Sequence, residues 1–494
     1  MTHTNALTRL PRRPITACLM LALAASFGAT ATGASGGAPS WAGNFSALAN
    51  PHASLSESLR FGRRRAPTAT VINCDDDGAG SLRDTVASAA SGDTIDLSAL
   101  TCSTISLTSG FIDVGQDDLS LIGPGAGVLS IDAGSASGVI RHGGLGTLSI
   151  SGLTISHGQY QSTDTPRGGC LYSAANLSVV DSTVSDCEAI GLGNTVVLGG
   201  AIYTHGNLSL TSSLVTNSQA HATASGAHGG GVYVNGDLTA TYSTISYNST
   251  YAAPLNGGRG GGAMIVGTTM LKGSTISYNS SYAVGGLYTQ DAVTIDSSTI
   301  YGNGASQTAG MRAIYSSGSP IATIVNSTIA GNHSVARVGG LNLIIAAKIS
   351  NSTIAFNAAF NGLAGVLMSG PTLDLESTII AGNTASGQPD DFNVYGSPVI
   401  TGANNLVVTS SAPLPPDTIT SDPLLGVAGD NGGPTWTIPL MAGSPAIDAG
   451  NNAANLDNDQ RGPGFARAIG LRADIGAFEV QESDIIFANG FELP

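Results

Sequence analysis

The sequence predicts an all-β fold, a parallel β-helix, on three observations. A phrase close to Ser-Thr-Ile-x-x-Asn recurs through the middle of the chain, a Gly-Gly phrase keeps step with it, and no segment there carries a helical period. The first phrase stands as STVSDC from Ser182, SSLVTN from Ser212, STISYN from Ser243 and Ser274, STIYGN from Ser298, STIAGN from Ser327, STIAFN from Ser352 and STIIAGN from Ser377. Counted at its second residue, the spacings are 30, 31, 31, 24, 29, 25 and 25, and Gly152-Leu153-Thr154-Ile155 extends the series backwards by 29. Each unit holds short β-branched pieces of alternating polarity separated by Gly and Asn, so one unit makes one coil of several strands and turns.

The inward positions of successive coils are expected at Ile155, Val184, Leu214, Ile245, Ile276, Ile300, Ile329, Ile354 and Ile379, an aliphatic ladder filling the bore. Nine coils at ~4.8 Å make a rod on the order of 45 Å long. Asn217, Asn248, Asn279, Asn303, Asn332 and Asn357, with Asn383 displaced by one, fall four residues after the aligned Ser or Thr. Asn tolerates left-handed backbone and hydrogen-bonds a stacked neighbour, so this column marks a sharp corner of every coil. The same chemistry accounts for the Asn-Ser-Thr strings, which otherwise read as glycosylation acceptors. The Gly-Gly phrase occurs as GGCLY at Gly168, GGAIY at Gly199, GGGVY at Gly229, GGGAMIV at Gly260, GGLY at Gly285 and GGLNL at Gly339.

A solenoid has open strand edges and needs caps. At the N-terminal end Ser81-Leu82-Arg83-Asp84 resembles a capping box, and Leu82, Val86 and Ala89/Ala90 form one stripe, which predicts a short capping helix from Ser81 to Ala90. Strands follow at Thr94–Leu97 and Thr104–Leu107.

The chain divides into residues 1–31, a signal peptide, 32–66, a linker or pro-segment, 67–140, the N-terminal cap and first coils, 141–400, the β-helix repeats, 401–480, a C-terminal segment, and 481–494, a tail. The leader rests on Arg9, Arg12 and Arg13, the apolar run Ile15–Phe27 and the small-residue site Ala29-Thr30-Ala31. Cys18 is a poor lipidation site because the apolar run follows it. Behind the leader remain Cys74, Cys102, Cys170 and Cys187, an even number suited to an oxidising compartment. Proximity pairs Cys74 with Cys102 and Cys170 with Cys187, free buried thiols being the alternative. With 18 basic and 33 acidic residues the chain carries a net charge of -15, which argues against nucleic acid as a partner. No stretch beyond the leader is apolar for the ~18 residues a bilayer span needs.

Two stretches resemble known families. CDDDGAGSLRDTVASAASGDTIDLSAL, from Cys74 to Leu100, is similar to the N-terminal segment of CSLREA-type secreted proteins, with GSLRDTV standing in for the family string and lacking its Cys. DPLLGVAGDNGGPTWTIPLMAGSPAIDAG (Asp422–Gly450), DNDQRGPG and ADIGAFE (Ala473–Glu479) resemble the choice-of-anchor Q domain. The resemblance implies a right-handed parallel β-helix of the pectin-lyase-like class, displayed on bacterial surfaces through varied C-terminal sorting signals, and no established catalytic residues. The tail DIIFANGFELP resembles short tails of exported Gram-negative proteins. A secreted or cell-surface location outside the cytoplasm follows.

Chemistry is sparse. A lyase of this shape needs a carboxylate cluster for Ca²⁺ and a base on adjacent coils. Arg167 and Arg259 precede Gly-rich strand starts and Arg337 lies near their register, but Leu198, His228 and Val284 stand between them. Asp164, Asp186, Asp237 and Asp291 fall in different columns. Asn73, Asp75, Asp77 and Asp84 match the spacing of a Ca²⁺ loop, with Gly78 at the sixth position, against the simpler reading of an acidic turn. Asn455, Asp457 and Asp459 form a second candidate set, and no cofactor is needed to explain either. His157, His205, His221, His228 and His333 lack ligand spacing and read as turn residues. Tyr172, Tyr203, Tyr233, Tyr288 and Tyr315, and Tyr247, Tyr278 and Tyr301, read as stacks between coils, with sugar stacking as the functional alternative. The sequence therefore predicts a non-catalytic adhesin, surface or glycan-contacting rod whose partner is a polysaccharide or a host or neighbouring cell surface. An extracellular polysaccharide lyase or glycoside hydrolase is the alternative. Three or more converging Asp, Arg or Lys side chains in a groove favour the enzyme, and a uniform Ser/Thr/Asn face favours adhesion.

Overall fold

In the computed structural model, which describes residues 68–252, 257–315, 317–481 and 484, the chain winds as a right-handed parallel β-helix of about twelve turns. The leader, the linker and all but Gln481 and Asp484 of the tail lie outside the described residues. Each coil visits four faces in order. Face one has 13 strands, from Thr68–Thr70 to Val399–Thr401, and face two has 12, from Thr104–Ser106 to Leu406–Val407. Face three has 10, from Gln159–Ser162 to Gln388–Pro389, and face four has 11, from Ile112–Val114 to Phe392–Val394. Among these strands only Thr384–Ala385 and Gln388–Pro389 pair antiparallel, where face three ends.

The bore ladder on face two is Ile105, Ile131, Ile155, Val184, Val215, Ile245, Ile276, Ile300, Ile329, Ile354, Ile380 and Val407, all at most 1% exposed. Two expected members are one residue out. Leu214 pairs with Thr183 and faces outward, leaving the bore to Val215, and Ile379 pairs with Thr353, leaving it to Ile380. A one-residue slip turns a strand's side chains to the opposite face, and the doubled Ser212-Ser213 and doubled Ile379-Ile380 made that slip easy to misread.

Face two is held between two left-handed corners. Asp181, Ser212, Tyr242, Ser297, Asn326, Asn351 and Ser377 have positive φ at the first, and Asp186, Asn217, Tyr247, Tyr278 and Phe356 at the second. The residue after each corner points inward and bonds along the rod axis. At the first, the backbone N–H groups of Ser182, Ser213, Ser243, Ser274, Ser298 and Ser327 each donate to the next coil's Ser Oγ at 3.0–3.2 Å. At the second, those of Asn248, Asn279, Asn303, Asn332 and Asn357 donate to the next Asn Oδ1 at 2.9–3.1 Å. Each Asn Nδ2 also donates to the carbonyl of the bore residue one coil back, as from Asn303 to Ile276 at 3.0 Å. The expectation that Asn itself takes the left-handed turn holds only for Asn217, which is exposed, with Ser218 filling the inward position. Asp391 closes the column by accepting from the Asn383 N–H and Nδ2, both at 2.9 Å.

The capping helix spans Leu82–Ser88, shorter than expected because Ala89 turns extended at ψ 150°. Ser81 Oγ accepts from the Asp84 N–H at 3.2 Å, and Leu82 and Val86 are buried. The two strands expected after it run Asp93–Asp96 and Thr104–Ser106, and Thr68–Thr70, before the helix, pairs with the first of them. Both disulfides form as proximity indicated, Cys74 with Cys102 and Cys170 with Cys187, with Cα separations of 6.5 and 5.5 Å. In the loop-entropy account each contributes ~3 kcal/mol.

After the last coil the C-terminal segment folds back over the outside of face two. Gln460, fully buried, donates to Thr299 Oγ1 at 2.9 Å and accepts from Thr328 Oγ1 at 2.6 Å, and the Ala477 N–H donates to Thr353 Oγ1 at 3.0 Å. The corner side chains Asn326 and Asn351 donate to the carbonyls of Asn458 and Asn451, so these two Asn-Ser-Thr strings are engaged within the fold. Ile438 packs on Ala330 and Ala355. The third residue of the strand is Ser or Thr in open coils (Ser185, Thr216, Ser246, Ser277), Tyr301 where Trp436 of the segment meets it edge-on, and Ala in the covered coils beyond (Ala330, Ala355, Ala381), where a hydroxyl would need a partner. Within the segment, Arg461 lies between the Phe465 and Phe478 rings at 4.0 and 3.8 Å and pairs with Asp459 at 2.7 Å, while Arg467 pairs with Glu479 at 3.0 Å.

Two outcomes test this account. Asn303→Ala removes the acceptor of two buried donors and is expected to lower stability by ~3 kcal/mol in chemical denaturation, whereas Asn217→Gly at the exposed left-handed corner stays within about 0.5 kcal/mol. Ala355→Glu is expected to release the segment, read as new protease cleavage between residues 422 and 480 while the solenoid keeps its far-ultraviolet dichroism.

Candidate functional site: a tyrosine and arginine trough

The Gly-Gly phrase makes the turn from a shoulder strand into face four. Gly199 has φ 74°, and a Cβ on Gly200 would sit 2.0 Å from the Gly230 carbonyl oxygen, so neither accepts a side chain. Two columns of side chains flank this turn. The shoulder column runs Arg167, Leu198, His228, Arg259, Val284, Thr308, Val338 and Leu363. The outer column of face four runs Arg141, Tyr172, Tyr203, Tyr233, Met264, Tyr288, Arg312, Asn342 and Leu367.

Tyr172, Tyr203 and Tyr233 stack with centroids 5.6 Å apart and planes within 11°. Arg167 leans one coil forward, its Cζ 5.4 Å from the Tyr203 ring centre, and Arg259 does the same over Tyr288 at 5.6 Å. Burial pushes the Tyr203 and Tyr233 hydroxyls up, partly offset by the Arg167 charge. Burial lowers the Arg312 guanidinium, and the charges of Arg337 and Arg259 press in the same direction. Arg167 Nε, Arg312 Nε and His228 Nδ1 are buried atoms without a hydrogen-bond partner. Among the described residues none of Arg167, Arg259, Arg312 and Arg337 meets a carboxylate, whereas Arg83, Arg141, Arg461 and Arg467 each do. A groove of about 650 Å³ on face one presents Asn176, Ser178, Asn207, Asp237 and Thr268 and no cation.

The expected residues sort as follows. Arg167 and Arg259 stand in one column with Leu198, His228 and Val284 between and beyond, as read from the sequence, but Val338 and not Arg337 takes the next-but-one place. Tyr315 falls outside the tyrosine column. Tyr247 and Tyr278 stack at the second corner with centroids 5.0 Å apart, while Tyr301 sits on the strand and meets Tyr278 edge-on. Arg312 and the fully buried His142, which bonds Ser173 Oγ at 2.8 Å, carried no signal before the register was known.

Asn73 Nδ2 donates to the Ala79 carbonyl, Asn73 Oδ1 accepts from the Asp75 N–H, Asp77 accepts from the Gly78 N–H, and Asp84 lies in the first turn of the capping helix. Their neighbour Asp76 makes the tertiary contacts, accepting from Arg83 at 2.7 Å and from Thr108 and Ser109. Burial opposes ionisation of Asp76, but these donors together hold its carboxyl far below the usual range. Asp459 of the second set is committed to Arg461. Among the described residues no three His, Cys, Asp or Glu side chains converge in metal-holding geometry, and no helix is long and apolar enough to cross a membrane. His157 pairs with Asp132 at 2.9 Å and His221 lies 3.6 Å from Glu188.

No family model and no curated protein matches the chain. Among solved structures it is similar to that of pectate lyase Pel9A, at 12% identity and a TM-score of 0.38, over 84% of this chain and 98% of that one. A likeness of that size says nothing about activity, and the fold rests on the strand register itself.

Burial, and then the Arg259 charge, lower the His228 imidazole from its usual 6.5 to about 4. A depressed histidine leaves the folded state with fewer bound protons than the unfolded one, so it destabilises the fold as pH falls from 6.5 towards 4 and has no effect above 6.5. His228→Asn is therefore expected to shrink the difference in melting temperature between pH 7 and pH 5. An unchanged difference would show that the imidazole titrates normally.

Proposed function

We propose that the chain is a secreted or cell-surface β-helix that acts as a non-catalytic, glycan-contacting adhesin or structural protein. The observation that carries this reading is the column Tyr172, Tyr203 and Tyr233, in which the buried Tyr203 is stacked between two half-buried rings whose edges repeat along the rod beside polar and cationic side chains. Tyrosine edges and hydroxyls that repeat at the coil spacing engage a chain of sugar rings better than a single one does. The two disulfides favour an oxidising, extracytoplasmic location. On the same reading residues 1–31 are a signal peptide, the segment folded over face two is of the choice-of-anchor type, and the tail from Gln481 is a sorting signal of a Gram-negative cell surface.

One observation favours a second reading, an extracellular polysaccharide lyase. Arg259, Arg312 and Arg337 recur on one side of the rod and meet no carboxylate among the described residues, and guanidinium groups neutralise the uronate whose proton a lyase removes. The two readings part on turnover. Purified protein incubated with uronate-containing and neutral polysaccharides, with and without Ca²⁺, is expected to bind without releasing unsaturated or reducing ends. Product formation abolished by Arg259→Ala would make the protein an enzyme.

A further inference from the structure

Along the second corner of face two, on the far side of the fold from the trough, the described residues leave a strip of apolar side chains uncovered. Tyr247 stacks on Tyr278, Tyr278 meets Tyr301 edge-on at 5.6 Å, and Tyr301 meets Trp436 at 5.2 Å. A groove between Tyr301, Phe356 and Val427 carries the strip on, and a larger one of about 730 Å³, between the corner residues Phe356 and Gly382 and the segment residues Leu424 and Met441, ends it. Tyr247, Tyr278, Trp436, Val427, Phe356 and Met441 are each 39–85% exposed. At ~200 Å² for a large side chain standing free, these six expose roughly 600 Å². That is the top of the ~300–600 Å² range for the largest patch on an ordinary monomer, and most of the ~800 Å² that each partner gives to a standard interface. The two grooves hold only two ionisable groups in their lining, Asp422 and Asp391, and Asp391 is taken up by Asn383 and Thr409. On a chain of net charge -15, an uncharged strip is where two copies approach with least repulsion.

The strip also carries its own complement. At one end Tyr247 and Tyr278 form a ridge on coils that the C-terminal segment does not cover, and at the other end Phe356, Leu424 and Met441 leave a groove. Five coils separate Tyr247 from Gly382, so ridge and groove lie ~19 Å apart along the axis. Midway between them, beside Tyr301 and Gly331, Val427 projects with 85% of its surface exposed. From this arrangement we infer that two copies of the chain associate flank to flank and antiparallel about a two-fold axis at Val427, the tyrosine ridge of each copy entering the groove of the other. A contact of this kind is isologous and closes at the dimer, since each copy offers ridge and groove once. Val427 then faces its own counterpart across the axis.

Sedimentation equilibrium of the purified full chain is expected to give twice the chain mass. Val427→Glu and Val427→Lys each set like charges against one another at the axis, and each is expected to weaken association at least tenfold without moving the melting temperature. Mixing the two variants in equal amounts is expected to restore the dimer, because Glu then faces Lys. Tyr278→Ala, which removes half of the ridge, is expected to weaken association at least tenfold as well. A monomer at every concentration overturns the inference, as does a dimer indifferent to Val427→Glu, which puts the contact elsewhere. If both charged variants are monomeric and their mixture stays so, the two-fold arrangement is wrong. If the full chain is monomeric but a chain ending at Asp484 dimerises, the occupant of the strip is this chain's own tail and the inference falls.

Discussion

One side-chain oxygen per coil, delivered at a fixed place, governs how this chain can fold. At the second corner of face two the backbone N–H points along the rod axis, where no strand partner exists, and the next coil's side chain must accept it. A buried donor left alone costs on the order of 1–3 kcal/mol. The column therefore runs from Ser218 through six asparagines to Asp391, with Cys187 donating to Ser218 at its head. It also fixes a length: the first-corner residue precedes the second by five positions in coil after coil, from Ser213 and Ser218 through Ser352 and Asn357. Coils differ in total length only because the excess is accommodated elsewhere.

In the coils of 30 and 31 residues the excess lies between faces three and four, and in the 29-residue coil that ends at Ser327 it lies between Met311–Ala313 and Ile321–Val325, from face four to face one. A shoulder strand that the axial ladders do not constrain can carry a leucine, a histidine or an arginine at the same column position, as Leu198, His228 and Arg259 do. Face four is just as permissive outward, where tyrosines give way to Met264, Arg312 and Asn342 while Ile202, Val232 and Leu287 hold the bore. The invariant side of each coil supplies stability and the variable side supplies chemistry.

This division explains what was legible beforehand. The repeat, the coil, both disulfides and the capping helix are local or periodic, and periodicity survives errors of a residue or two. Register does not, which is why Leu214 and Ile379 were placed in the bore when their neighbours belong there. The polar residue at the fixed offset, Ser218 for Val215 and Asn383 for Ile380, carries the correct register in the sequence itself. The exchange of Ser for Ala at the third strand position likewise announces where face two is covered. The gathering of arginines was not legible, because Arg312 joins the others only once the coils of 24 and 29 residues are aligned, and because both Arg167 and Arg259 reach across to the following coil.

The segment folded over face two gives the rod a direction in time as well as in space. A ribosome or export channel releases the N-terminal coils first, and those coils, with Ser and Thr outward and both disulfides among them, are complete as soon as they are wound. The later coils are not. Their alanine row and the Asn326 and Asn351 amides wait for residues up to 100 or more positions downstream. Maturation of the distal half is thus coupled to delivery of the last stretch of polypeptide, and a chain interrupted before it would present an apolar stripe on an otherwise finished surface.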